Sequence, residues 1–161
     1  MRSDEIIVIA GQRGCGKTTL AMSLITSLKR ILIYDPQSEY DPRHSYRPQT
    51  DTVKEFEKVC AYVWATGNTF FVVDEAERYY RNNVPMGKNA FRIVNSGRHK
   101  NIGLMLITRR LSELHKTPFS LASHVFLFHL FIPNDINYIK EFYKKGEIVS
   151  SLDKFQYISF P

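Results

Sequence analysis

The sequence predicts an α/β domain with a mainly parallel central sheet flanked by helices, and three observations carry that prediction. Short apolar runs recur at Glu5–Ala10, Ile31–Tyr34, Thr69–Val73 and Leu104–Thr108, each of the length and β-branched character of a strand buried on both faces. Segments with apolar residues at helical spacing alternate with them, which is the pattern of βαβ units rather than of hairpins. The chain has 161 residues, 43% of them hydrophobic and 24% charged. That suits one compact domain over residues 1–161 and excludes both wholesale disorder and a multidomain machine.

The elements follow in order. After the first strand comes a glycine-rich turn, Gly11–Gly16. A helix is expected over Thr18–Leu28, with Leu20, Leu24 and Leu28 on one face. The second strand ends at Asp35-Pro36, and Gln37–Thr50 is polar loop with room for a short strand near Ser45–Arg47. Thr52–Ala65 places Phe56, Val59, Cys60 and Val63 at helical spacing, and Thr66-Gly67-Asn68 stops that helix. Ala76–Arg81 reads as a helical turn, 82–87 as a loop and Asn89–Gly97 as a helix. Arg110–Lys116 reads as a short helix, His124–Leu130 as a strand and Asp135–Lys144 as a helix. Residues 145–161 form an extended tail with the pattern of a hairpin, Ile148–Leu152 and Phe155–Phe160, packed on the core.

Composition narrows the function classes. Net charge is +6, from 22 Lys+Arg against 16 Asp+Glu, which permits an anionic ligand or nucleic acid without requiring one. Cys15 and Cys60 make no disulfide framework and no zinc site. The N-terminus carries acids where a signal peptide needs a basic start, and the most apolar stretch, Val125–Pro133, is too short to span a bilayer. A soluble protein without membrane insertion is expected.

Gly11-Gln12-Arg13-Gly14-Cys15-Gly16-Lys17-Thr18 matches the eight-residue P-loop pattern, with a strand before it and a helix after it. Small residues let the backbone curl so that successive N–H groups face one phosphate cluster, and the helix that follows adds its positive end. Lys17 is expected to reach the terminal phosphates of ATP, Thr18 to bind Mg²⁺, and the loop through Thr19 to hold the phosphate chain. A dinucleotide-binding turn would need glycine at Arg13 and would leave Lys17 without a role.

The run Phe70-Phe71-Val72-Val73 ends in Asp74-Glu75. At the C-terminal edge of a parallel sheet, Asp74 is placed for the metal and Glu75 for orienting or deprotonating an attacking water. The third strand ends in Thr108-Arg109-Arg110, where Thr108 is placed to contact the γ-phosphate or the water and either arginine to act electrostatically. Asp35 either lines the site or caps a turn. Between Arg78 and Lys116 there are nine Lys/Arg residues (Arg78, Arg81, Lys88, Arg92, Arg98, Lys100, Arg109, Arg110, Lys116) and one acid, Glu113. That bias fits a surface for a phosphate backbone or a contact that donates an arginine to a neighbouring subunit. The loop Arg81–Lys88 is the best candidate for a flexible element touching DNA. The five histidines are scattered and form no metal cluster.

Taken together, the chain resembles the HerA/FtsK superfamily of DNA-pumping P-loop ATPases, in particular short viral packaging ATPases. The resemblance rests on Gly11–Thr18, on Asp35-Pro36-Gln37-Ser38-Glu39-Tyr40, on Val73-Asp74-Glu75-Ala76, and on Ser96-Gly97-Arg98-His99-Lys100-Asn101-Ile102-Gly103 with the strand and Arg109-Arg110 after it. It covers roughly residues 5–140. It implies a RecA-like (ASCE) P-loop NTPase fold and Mg-dependent ATP hydrolysis. It also implies double-stranded DNA as partner and a ring, usually a hexamer, with Arg98 or a neighbouring arginine serving as a finger in trans. Arg109 stands where the family commonly has Gln, so either Thr108 alone carries the sensor role or Arg109 replaces the amide with a charge. The brevity of the chain points to viral genome packaging, with a capsid or portal partner and a place in the host cytoplasm or at a procapsid vertex. The competing readings are a P-loop ATPase for extrusion or remodelling, a small nucleotide kinase, and a regulatory ATP-binding protein of feeble turnover.

Overall fold

The computed structural model describes residues 4–144 and 146–161, so Met1–Ser3 and Lys145, the first residue assigned to the tail, lie outside the described residues. The chain runs β1 (Ile6–Ala10), α1 (Lys17–Ile25), β2 (Ile31–Tyr34), β3 (Ser45–Tyr46), α2 (Val53–Thr66), β4 (Thr69–Val73), α3 (Lys88–Ser96), β5 (Ile102–Thr108), α4 (Lys116–Ser120), β6 (His124–Phe128), α5 (Pro133–Phe142) and β7 (Tyr157–Phe160). The described strands form one seven-stranded sheet in the order β3-β2-β4-β5-β1-β6-β7. All neighbours are parallel except β6 and β7.

The side chains of β1 alternate. Val8 and Ala10 face a core shared with Phe56, Val59 and Val63 of α2 and Ile93 and Val94 of α3, while Ile7 and Ile9 face α1 through Ala21 and Ile25. Burial on both faces is why these strands read as unbroken apolar runs. An aromatic cluster fixes the start of α2 against the strand ends: Phe56 stands edge-on to Tyr34 at 5.0 Å and stacks on Tyr79 at 4.6 Å. Thr52 caps α2 by accepting the Glu55 N–H.

The topology decides where chemistry can occur. β5 lies between β1 and β4, with Ala10 opposite Thr108 and Val73 opposite Leu106. At about 4.8 Å per strand spacing, β1 and β4 run about 10 Å apart. The turn after β1 and the carboxylates after β4 therefore share one edge of the sheet.

The structure departs from the sequence reading in several places. α1 stops at Ile25, where Thr26 Oγ1 bonds back to the Met22 carbonyl and Leu28 N–H closes a turn on Ile25. β5 begins two residues early, Gly103 pairing within the ladder opposite Phe70. Arg110–Lys116 is not a helix: a 3₁₀ turn at Leu111–Glu113 is followed by α4, whose start is capped by His115 Nδ1 accepting the Thr117 N–H at 3.1 Å. β6 ends at Phe128 because the next backbone groups bond elsewhere, His129 O to Gln12 N and Leu130 N to Val149 O. The first arm of the expected tail hairpin is a 3₁₀ helix at Gly146–Ser151, held by Ser150 and Ser151 hydroxyls donating to the carbonyls three residues before them. The second arm is β7.

Candidate active site

The P-loop is tied at its entrance to both neighbouring strands: Gly11 N–H donates to Thr108 O at 3.2 Å and Gln12 N–H to His129 O at 3.3 Å. A Cβ on Gly11 would sit 2.5 Å from Phe128 Cβ, so only glycine passes there. Gly16 takes φ +102 at the start of α1, a left-handed conformation that turns the loop into the helix. The first turn of α1 carries no acid, leaving its positive end open to an anion. Lys17 is 8% exposed and its Nζ donates to the Gln12 carbonyl at 2.7 Å. Burial lowers the pKa of its ammonium from the ordinary value, partly opposed by the nearby Cys15 and Asp74.

Asp74 lies on the same edge and is buried. Its Oδ1 accepts the Glu75 N–H at 2.9 Å and its Oδ2 the Tyr40 hydroxyl at 3.3 Å. Burial pushes its carboxyl up to about 6 despite these donors. The Thr18 side chain lies beside the same Tyr40 phenol. Thr18 and Asp74, the two residues expected to hold Mg²⁺, thus flank one phenol, which donates to Asp74. They fit that ion, which takes one or two protein oxygens and completes its octahedron with water and phosphate. No group of three or more His, Cys, Asp and Glu able to hold a metal occurs among the described residues.

Glu75 is buried and adopts φ +49, left-handed backbone for a residue with a side chain. Its Oε2 accepts Arg78 NH1 at 3.0 Å and Gln37 Nε2 at 3.1 Å, and its Oε1 is ion-paired with Arg109 NH2. Arg109 is therefore a partner of Glu75 in this structure. Thr108 is 1% exposed, and its hydroxyl accepts the Arg110 N–H at 3.1 Å beside the Glu77 carboxylate, whose Oε1 accepts the Arg109 N–H at 3.3 Å. Burial in turn pushes the Glu77 carboxyl up. Asp35 caps a turn, accepting the N–H groups of Glu39 and Tyr40. That turn delivers Tyr40 to Asp74 and Gln37 to Glu75, two roles that reading the residues alone did not assign. Arg78 and Glu77 were missed in the same way. The only signal for any of them was the Asp35–Tyr40 segment itself.

Arg98 is not part of this cluster. It lies in the 3₁₀ turn Gly97–Lys100, before the first residue of β5, about 20 Å along that strand from Thr108. The structure also divides the basic segment. Arg78, Arg109, Arg110 and Lys116 have carboxylate partners. Arg81, Lys88, Arg92, Arg98 and Lys100 are exposed and have no ion pair among the described residues. The loop Arg81–Lys88 is anchored at both ends, Asn82 to the Ser112 and Glu113 carbonyls and Gly87 against the Glu57 side chain.

Residues 3–124 match the AAA domain family AAA_14, and the chain belongs to that family. No curated protein matches the sequence. Among solved structures it is similar to the genome packaging NTPase B204 of Sulfolobus turreted icosahedral virus 2 in complex with AMPPCP, at TM-score 0.82 and 19% identity over 99% of this chain and 93% of that one. The DNA-packaging ATPase B204 of Sulfolobus turreted icosahedral virus gives TM-score 0.83 and 19% identity over the same shares. The N-terminal domain of zonular occludens toxin from Neisseria meningitidis gives TM-score 0.61 and 18% identity, over 76% of this chain and 75% of that one. The likeness is one of fold: a RecA-like P-loop NTPase. No described helix is long and apolar enough to cross a membrane.

Proposed function

We propose that the chain is the ATP-hydrolysing subunit of a ring that moves double-stranded DNA, as in viral genome packaging. One observation carries the reading: Lys17, Thr18, Asp74 and Glu75 converge on one edge of the sheet, with Tyr40 beside Thr18 and donating to Asp74. The packaging proteins of similar fold and the HerA/FtsK resemblance support the choice of cargo.

In this reading Gly11–Thr19 wrap the phosphate chain with backbone N–H groups and the Lys17 ammonium. Mg²⁺, held by Thr18 and reached by Asp74 directly or through water, would neutralise charge on the phosphate oxygens. Glu75 takes the proton of an attacking water. To do so it must exchange at least one of its present donors, Arg78, Arg109 or Gln37, for that water. Arg109, beside the P-loop through the Ala10–Thr108 register, is placed to move from Glu75 toward the γ-phosphate. Arg98, remote from its own chain's P-loop, acts on a neighbour's nucleotide across the ring. Arg81, Lys88, Arg92 and Lys100 present free charge to a backbone polyanion.

ATPase assays with and without long duplex DNA test the reading. Turnover that rises with duplex length supports it. Turnover indifferent to DNA contradicts the translocation reading. Phosphate transfer to a small acceptor in place of water favours a kinase.

A further inference from the structure

The nucleotide site has a second half that neither the motifs nor the resemblance assigns. A triphosphate whose γ end faces Asp74 and Glu75 directs its other end away from β4. In the sheet order that direction is past β1 toward β6 and β7. The tail closes over the P-loop there. A groove of about 310 Å³ is lined by Arg13, Gly14, Gly16–Thr19, Glu39 and Phe155. It shares Arg13 and Gly14 with a second groove of about 290 Å³ that runs under the tail at Leu152–Lys154 beside His129.

Phe155 is unusual on three counts. Its ring is at the mouth of the phosphate groove, Cδ1 lying 3.2 Å from where a Gly16 Cβ would stand. It is 64% exposed, the most exposed large apolar side chain among the described residues. It also adopts φ +70, a conformation that bulky residues avoid. The flanking chain imposes that conformation. Asp153 and Gln156 bond each other twice, through Asp153 N–H to Gln156 Oε1 and Gln156 N–H to Asp153 O. His129 Nδ1 holds the Leu152 carbonyl at 2.9 Å, and β7 pairs with β6 immediately after. Strain that the surroundings over-determine is characteristic of residues set for a ligand. Lys154 Nζ lies over the ring at 5.0 Å from its centroid, and the exposure of the side chain leaves ring surface for a ligand to stack on.

We propose that Phe155 is the base platform of the nucleotide site: the purine of a nucleoside triphosphate stacks on its exposed ring while the P-loop holds the phosphates. The proposal rests on the P-loop reading, but it concerns a part of the ligand that the P-loop does not touch.

Calorimetry on the full chain with Mg²⁺ compares ATPγS with inorganic tripolyphosphate. The wild type binds ATPγS more tightly than tripolyphosphate. Phe155→Gly removes the ring and relieves the positive φ, so thermal stability does not fall. Its ATPγS affinity drops about tenfold, in the range for losing one base-stacking partner, while tripolyphosphate binding is unchanged. Phe155→Tyr restores ATPγS binding. Unchanged ATPγS affinity in Phe155→Gly overturns the proposal, and so does an equal loss of both ligands, which makes the tail a support for the P-loop alone. A wild type that binds both ligands equally overturns the platform and leaves the P-loop reading intact. A wild type that binds neither overturns both.

Discussion

The two ends of the sheet use charge in opposite ways. At the C-terminal ends of β1, β4 and β5, Lys17, Asp74, Glu75 and Glu77 are largely buried, and each has partners supplied by its own chain. At the other end, around α3 and the turn before β5, Arg92, Arg98 and Lys100 are exposed, and Arg92 and Lys100 lie over the Trp64 ring. Buried charges are costly unless paired, so a cluster of them is fixed in place before any ligand arrives. Exposed cations without carboxylate partners keep their charge for something outside the chain. The contrast separates the residues proposed for chemistry from those proposed for contacts between subunits and with DNA.

Substitutions at each end should differ in kind, not only in size. Lys17→Ala should give the largest effect, with turnover lost and ATP affinity sharply reduced in equilibrium binding. Glu75→Gln should leave nucleotide binding within about twofold while lowering kcat by about 10² to 10⁴, the usual contribution of a general base; unchanged kcat would remove Glu75 from the chemistry. Arg98→Ala should leave ATP binding by the isolated chain untouched and lower turnover only where subunits assemble. In mixtures with Glu75→Gln, activity should recover above that of either variant alone, because an interface where the Arg98→Ala subunit supplies the glutamate and the Glu75→Gln subunit the arginine is intact. Strictly additive activity places Arg98 outside the site. Replacing Arg92 and Lys100 together should flatten the salt dependence of duplex binding, by about 0.9 in log–log slope for each phosphate no longer neutralised. An unchanged slope moves the DNA surface elsewhere.

The smallest effect concerns stability. Burial raises the Asp74 carboxyl to about 6, above the unfolded value of about 3.9. The folded state then holds this proton more tightly than the unfolded state. Without Mg²⁺, stability should therefore be greatest below about pH 4 as far as this group is concerned, and decline as pH rises through about 6. The decline is up to about 3 kcal/mol, at about 1.4 kcal/mol for each tenfold difference in proton affinity between the two states. Asp74→Asn should remove that slope in thermal melts between about pH 4 and 6, the interval over which the folded and unfolded states bind this proton to different extents; a slope that persists assigns it to another group.

What the sequence made legible follows from range. Unbroken runs such as Thr69–Val73 announce buried strands because burial on both faces leaves no polar alternation to misread. The P-loop and the Asp74-Glu75 pair are local strings, each carrying its spacing on one turn. Tyr40 and Gln37 reach Asp74 and Glu75 across 34 and 38 residues, and nothing in a local pattern records such pairings. Phe155 was legible only as an apolar residue in an expected strand, since its exposure depends on where β7 docks. The tail's first arm misled because Ile148-Val149 has strand character, whereas Ser150 and Ser151 bond back to the preceding backbone. α4 is not announced by the sequence, because its five residues are too few to show helical apolar spacing.

The central claim is that one triphosphate is enclosed between the P-loop and the carboxylates after β4. A crystal structure of the assembled protein with Mg²⁺ and a non-hydrolysable ATP analogue tests it most directly. The account predicts Lys17 Nζ within hydrogen-bonding distance of the β- and γ-phosphate oxygens, Mg²⁺ between Thr18 and Asp74, and Glu75 facing the γ-phosphate across a single water. A triphosphate bound at the P-loop with its γ end turned away from Asp74 and Glu75 would contradict it.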